Sequence, residues 1–207
     1  MYITYILIGI TVIISFYAFN SGSLMSQLIM NPYYTHQNRQ YYRFVTSGFI
    51  HKDYTHLLWN MLSFFFFGTA IERQFYMVFG KSAPIYFIAL YLMAIVVSDI
   101  PTFFKHRNNP RYNSLGASGG VAAVIFAYII FDPLSDICLY FAICMPGFIL
   151  GALYIIFSWY QGRKANDNIN HDAHLWGALF GLIFCIVVEP ASIVNFIEQL
   201  KNWKVFN

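Results

Sequence analysis

Apolar residues in this chain come in long blocks, without the alternation of a half-buried strand or the stripe of a surface helix. Tyr2 to Phe19 is apolar and uncharged. His56 to Ile71 repeats the pattern and is expected to close at Glu72-Arg73, and Pro84 to Ile100 is expected to stop at Pro101. Gly116 to Phe131, Ile137 to Trp159 and Ala173 to Val188 follow, the last ended by Glu189-Pro190. Crossing a bilayer core takes roughly 20 apolar residues in a helix, and flanking aromatic and polar residues extend the shorter blocks. The pattern predicts six transmembrane helices, an all-α polytopic membrane bundle over residues 1–190. The first block has no basic leader or small-residue cleavage site, so it is read as a retained span and not a signal peptide.

The intervening segments differ in kind. Asn20 to Thr55, the long first loop (20–55), mixes Tyr33, Tyr34, Tyr41, Tyr42, Phe44 and Phe49 with Arg39, Arg43 and Lys52. Aromatic rings and snorkelling cations are both stable at headgroup level, so short embedded helices are expected there. Asp132 to Asp136 reads as a tight turn that makes the fourth and fifth helices antiparallel neighbours. Pro146-Gly147 falls inside the fifth block, where a proline predicts a kink, either for packing or as a hinge. Beyond Pro190, Ile193, Phe196, Ile197, Leu200 and Trp203 recur at helical spacing. Residues 191–207 therefore read as an amphipathic tail on the membrane surface.

Composition agrees with this picture. Of 207 residues, 58% are hydrophobic, 20% aromatic and 10% charged, against roughly 25% charged in soluble domains. Mean hydropathy is +0.55. A net charge of +3, with Lys and Arg scattered between apolar blocks, gives no footprint for nucleic acid. Cys138, Cys144 and Cys185 are odd in number, lie in apolar blocks and lack framework spacing, so they are read as packing residues and not as disulfide partners.

Polar side chains inside such blocks are disfavoured and usually face an interior cavity. His56 and Asn60, at i and i+4, share one face of the second helix. His174 lies near the start of the sixth, with Gly177 and Gly181 on its side, where small residues admit a close neighbour. Ser118 opens the fourth, among Gly116, Gly119 and Gly120. Taken singly, each has a bland explanation: backbone bonding by a serine, an interfacial histidine, an interhelical asparagine. Alternating topology, however, puts the starts of helices two, four and six on one side, so all four share a depth. A serine hydroxyl becomes a nucleophile when a neutral imidazole takes its proton. The Ser118 backbone N–H, His56 and Asn60 are candidate donors to an oxyanion. Asp172 is two residues from His174 and faces elsewhere on a helix, so the chemistry reads as a Ser118–His174 dyad. Gly116-x-Ser118-x-Gly120 also matches the nucleophile elbow of soluble hydrolases, but that motif needs a preceding strand.

His56-Leu57-Leu58-x-Asn60-Met61, Gly116-Ala117-Ser118-Gly119 and Ala173-His174-Leu175-x-Gly177, in this order and on these helices, resemble the rhomboid family of intramembrane serine proteases. The resemblance implies a six-helix rhomboid-like bundle with Ser118 as nucleophile, His174 as general base and acid, and His56 and Asn60 as oxyanion donors. It further implies cleavage of other proteins' transmembrane segments near the membrane surface, without cofactor or metal, by a multi-pass cell-membrane protein. Three positions depart from the family pattern. Tyr42-Arg43 stands for Trp-Arg, Ala122 stands where an aromatic often packs on the catalytic histidine, and Trp176 replaces a common glycine.

Loops after helices one, three and five carry Arg39, Arg43, Lys52, Lys105, Arg107, Arg111, Arg163 and Lys164, against Arg73, Lys81, Lys201 and Lys204 on the other side. The positive-inside rule alone would put the site face in the cytoplasm. The resemblance places it outside, and an extracytoplasmic opening is expected, with loop cations serving structural roles. Two other functions are compatible with the residues: a catalytically inactive rhomboid-like protein that binds or escorts transmembrane helices, and a metal site drawn from His51, His56, His171 and His174. The latter lacks the usual Cys or carboxylate companions and spacing.

Overall fold

The computed structural model of the chain describes residues 2–139, 142–164, 167 and 169–204. In chain order the helices are α1 (Ile3–Phe19), α2 (Gly22–Leu28), α3 (Pro32–Gln37), α4 (Arg43–Thr46), α5 (Tyr54–Phe79), α6 (Ala83–His106), α7 (Ser118–Phe131), α8 (Gly147–Lys164), α9 (His171–Val188) and α10 (Ala191–Lys201). Strands β1 (Asp136–Leu139) and β2 (Ile143–Pro146) pair antiparallel between α7 and α8. Tyr54–His106, which contains α5 and α6, and His171–Val188 are each long and apolar enough to cross a membrane; Ile3–Phe19 and Ser118–Phe131 are shorter apolar helices. The surface is inverted relative to a water-soluble protein. Ile6, Ile13, Phe66, Ile85, Ile183 and Val187 are exposed, while Thr4, Thr11, Ser15, Ser98, Asp99 and Thr102 are buried. That distribution suits a helical bundle solvated by lipid, whose polar groups must find partners inside.

Helix α7 is the axis of the bundle, packed by α9, α6 and α5. Its small, uncharged sequence suits that place: Gly119, Gly120, Ala122, Ala123 and Ala127 let neighbouring backbones approach, and all are buried. Where lipid and side chains are equally apolar, close packing of this kind drives association. With 14 residues, α7 spans about 21 Å at 1.5 Å per residue, less than the roughly 30 Å hydrocarbon thickness. A short central helix inside longer ones sets at least one of its ends below the membrane surface. Larger side chains fill the flank, where Phe64 of α5 stacks on Tyr91 of α6 at 4.5 Å between centroids.

Three boundaries differ most from those expected. α5 continues past Glu72-Arg73 to Phe79 because Glu72 is not a membrane-edge residue. Its buried carboxylate accepts from Ile3 N (3.1 Å), Thr4 N (3.1 Å) and Thr4 Oγ1 (2.8 Å), capping the start of α1. α6 runs through Pro101 to His106; one missing backbone donor does not end a helix held by neighbours, and Thr102 Oγ1 there donates to Asn170 Oδ1 at 3.0 Å.

The block from Ile137 is not helical until Gly147, so Pro146 ends a strand and neither kinks nor hinges a helix. α8 consequently packs mainly on α9 and only lightly on α7. The same hairpin corrects the cysteine assignment. Register sets Cys138 opposite Cys144, and the two form a disulfide, with Cα atoms 3.9 Å apart. Facing positions in a hairpin bring two cysteines together whatever the sequence framework, which spacing rules for small scaffolds do not capture. Cys185 remains free and buried.

The first loop folds as short helical pieces, α2 to α4 and a 3-10 turn at Ser47–Phe49. Arg43 is buried at its centre, donating to the carbonyls of Ser26 and Ile29, both at 2.7 Å, and to Gln40 Oε1 at 2.7 Å.

Candidate active site

Residues 113–118 carry the chain from polar loop to α7, and three contacts fix their path. Ser114 pairs with Met30 by reciprocal backbone bonds of 2.9 and 3.0 Å. Gly116 N donates to Ser47 O at 2.9 Å, and Ala117 N donates to His51 Nε2 at 3.3 Å. Gly116 has φ +117°, and a Cβ there would lie 2.6 Å from His56 Cε1 and 2.9 Å from Nε2. Glycine is required twice over, for its backbone angle and because the His56 ring occupies the side-chain volume. His56 itself is fixed in the first turn of α5, where Asp53 Oδ1 accepts from its N–H at 2.8 Å.

The bonds to His51 define its protonation. Nε2 accepts from Ala117, so the proton sits on Nδ1 and is donated to Ser15 Oγ at 3.0 Å; Ser15 in turn donates to Phe49 O at 3.1 Å. Both ring nitrogens are committed in the neutral form. Burial, reinforced by neighbouring His56, pushes the His51 pKa from 6.5 down to about 3. An unfolded chain takes up this proton near pH 6.5 and the folded one only near pH 3. Stability is thus fully present above the higher value and declines as pH falls through that window. We expect His51→Gln, whose side-chain carbonyl accepts from Ala117 without titrating, to flatten the fall, measured as unfolding midpoints in detergent between pH 7 and 4. An unchanged profile would remove His51 as the titrating group.

α9 begins at an asparagine cap: Asn170 Oδ1 accepts from Ala173 N at 3.1 Å and from Thr102. The Asn170 amide donates to Ser114 Oγ at 2.9 Å and Asp99 Oδ1 at 3.3 Å, and Asp99 Oδ2 accepts from Ser47 Oγ at 3.4 Å. A buried polar cluster thereby ties residues four before Ser118 and four before His174 to the same carboxyl group. Beyond the cap, Gly177 lies against the Gly119 carbonyl and Gly181 against that of Ala123, so tightly that a Cβ at either would collide with backbone. A Cβ on Gly119 would also lie 3.4 Å from the Ala173 carbonyl. Ala173 and Gly177, which bracket His174, thus both abut the residue after Ser118. Trp176 points outward, 44% exposed, and leaves this seam undisturbed.

The four candidate residues are therefore gathered from the starts of α5, α7 and α9, though not all in reactive contact. Among the described residues, no hydrogen bond joins the Ser118 hydroxyl to the His174 imidazole, a looseness common in unliganded catalytic pairs. Asn60 Nδ2 donates to the His56 carbonyl at 3.0 Å, within its own helix. Asp172 pairs with Lys105 at 2.7 Å, and Asp167 with His171 at 3.0 Å, so no carboxylate backs His174 among these residues. With His51 committed to Ser15 and Ala117, and His171 to Asp167, the four histidines do not assemble as a metal set. Two residues that shape the site were not singled out from sequence as site residues: His51, seen only as a possible ligand, and Asp99, a lone carboxylate inside an apolar block whose placement alone was a signal.

The sequence resembles known proteins over most of its length. A protein-family model described as "Rhomboid domain" matches residues 38–190. The chain is 30% identical over 154 residues to "RHOMBOID-like protein 12, mitochondrial" of Arabidopsis thaliana, covering 67% of this chain and 44% of that one. It is 27% identical over 146 residues to "Putative rhomboid protease YdcA" of Bacillus subtilis, covering 70% and 66%. Identity to "Rhomboid protease GlpG" of Haemophilus influenzae is 28% over 164 residues, covering 76% and 74%. The chain thus spans less than half of the plant relative's length and about two thirds of the Bacillus one. Since the family model covers well over half of the sequence, including all three helix starts that carry the candidate residues, the chain belongs to the rhomboid family.

Proposed function

We propose that the protein is an intramembrane serine endopeptidase that hydrolyses peptide bonds in or near transmembrane segments of other membrane proteins. The observation that carries this reading is the glycine seam, where Ala173 and Gly177 meet Gly119 and bring the first turns of α9 against the start of α7. Ser118 Oγ attacks the scissile carbonyl while His174 takes its proton. The Ser118 N–H, at a helix start where backbone donors lack intrahelical partners, and the side chains of His56 and Asn60 receive the oxyanion. His174 returns the proton to the leaving amine; it then takes a proton from water as the water oxygen attacks the acyl carbon, and delivers that proton to Ser118 Oγ as the ester bond breaks. These steps use only side chains and backbone donors of the chain.

The substrate reaches the site from the bilayer, and we assign the protein to the cell membrane with several spans and an extracytoplasmic site. Two of the eight cations on the site side bear on that orientation. Arg43 is sequestered by carbonyls, and Lys105 is paired with Asp172, so both act structurally and weaken the inside signal. A second reading, a binding protein that escorts transmembrane helices without cutting them, draws support from the unformed Ser118–His174 bond. A fluorophosphonate probe separates the two. The peptidase should acquire one covalent adduct, located on Ser118 by mass spectrometry and absent in His174→Ala. Lack of labelling, together with lack of cleavage of a model transmembrane substrate in liposomes, would overturn the peptidase reading, and co-purification of that uncut substrate with the protein would then support the binding protein.

A further inference from the structure

The His174 imidazole has no hydrogen-bonding neighbour among the described residues to fix its plane, yet a general base must present one nitrogen to the nucleophile within a narrow angle. Two aromatic rings lie beside the imidazole. Tyr154 of α8 lies nearly parallel to it, with centroids 6.3 Å apart and planes at 25°. His171, one turn earlier, meets it edge-on at 6.0 Å and 79°. Tyr154 gains its place from small residues: it packs against the cluster containing Ala122 of α7 and Ala178 of α9. On its other side the Tyr154 ring meets Phe126 of α7, with centroids 5.6 Å apart.

We propose that Tyr154 is a positioning residue for His174, its ring acting as the wall that holds the imidazole plane. The proposal rests on His174 being the catalytic base. Offset-stacked rings within 4.5–7 Å are favoured over random contacts, and a ring fixed by α8 replaces orientation by a carboxylate, which no described residue supplies. The element that orients the base is thus α8, which packs chiefly on α9, and the reacting serine comes from α7. Only the ring face enters this role, so phenylalanine should substitute and alanine should not.

The experiment uses the full chain in liposomes. Tyr154→Ala is expected to lower kcat about ten- to a hundredfold with KM within about twofold, while Tyr154→Phe retains most of kcat. Equal kcat in wild type and Tyr154→Ala would overturn the proposal while leaving the peptidase reading intact, since that reading stands or falls with Ser118→Ala. Should wild type cleave nothing, the rate of His174 modification by diethylpyrocarbonate, read on its own peptide, still decides. A several-fold rise in Tyr154→Ala but not Tyr154→Phe supports the wall, and an unchanged rate overturns it.

Discussion

Ser118→Ala is expected to reduce kcat for a transmembrane substrate by about 10⁴-fold or more, and His174→Ala by a similar factor, with the double variant no worse than either. The reason is that the two act as one unit: a hydroxyl without its base is a poor nucleophile, and a base without the hydroxyl has nothing to activate. Residual rate would come from oxyanion donors and from binding. The Ser118 hydroxyl has no hydrogen-bond partner among the described residues, so its removal should leave the fold intact, checked by circular dichroism and by the unfolding midpoint in detergent. Asn60→Ala should fall less, by at most about 10²–10³-fold, the range for loss of one oxyanion donor. Its amide now bonds the His56 carbonyl and must turn to serve. Full cleavage by purified Ser118→Ala would exclude the dyad. Additive losses in the double variant would mean that His174 acts on something other than Ser118.

The helical, apolar character of the chain was legible in the sequence because lipid allows few solutions: a crossing segment must be apolar and satisfy its backbone internally. The candidate site was legible for a related reason. Ser118, His56, Asn60 and His174 are polar where polarity is disfavoured, and alternation alone puts their helix starts on one side. What could not be read depended on partners distant in the chain. Glu72 looks like a membrane boundary until α1 is seen resting on its carboxylate. Pro146 looks like a helix kink until Cys138 and Cys144 are seen facing each other in a hairpin. His51 lies five residues before His56 with no local pattern to mark it, and it acquires meaning only when Ala117 donates to it across 66 positions. The absent aromatic at Ala122 was visible, but the ring that does lie beside His174 is Tyr154 of α8, a neighbour that sequence spacing could not assign.

Gly177→Ala is expected to damage the protein far more than Gly9→Ala, although both replace one hydrogen by a methyl group in an apolar helix. At Gly177 the added carbon would sit 2.9 Å from both Cα and carbonyl carbon of Gly119 and closer still to its oxygen. No side-chain rotation relieves a collision with backbone, so α9 and α7 must separate. Overpacking of this order costs about 1–3 kcal/mol, and the separation falls between Ser118 and His174, where misplacement by about 1 Å can lower rate 10²-fold. Gly9 has nothing within 4 Å of the added carbon. Alanine there should be neutral or stabilising by about 0.5–1 kcal/mol, the ordinary helix preference. Gly181→Ala divides stability from catalysis. Its carbon would meet the Cα of Ala123 at 2.7 Å and the carbonyl carbon at 2.8 Å, a collision of the same kind, yet four residues or about 6 Å farther along α9. It should therefore lower the unfolding midpoint as much as Gly177→Ala while retaining a larger share of kcat. A Gly177→Ala protein with wild-type midpoint and wild-type kcat would mean that the seam is not closed in the membrane, and with it would go the contact that brings base and nucleophile together.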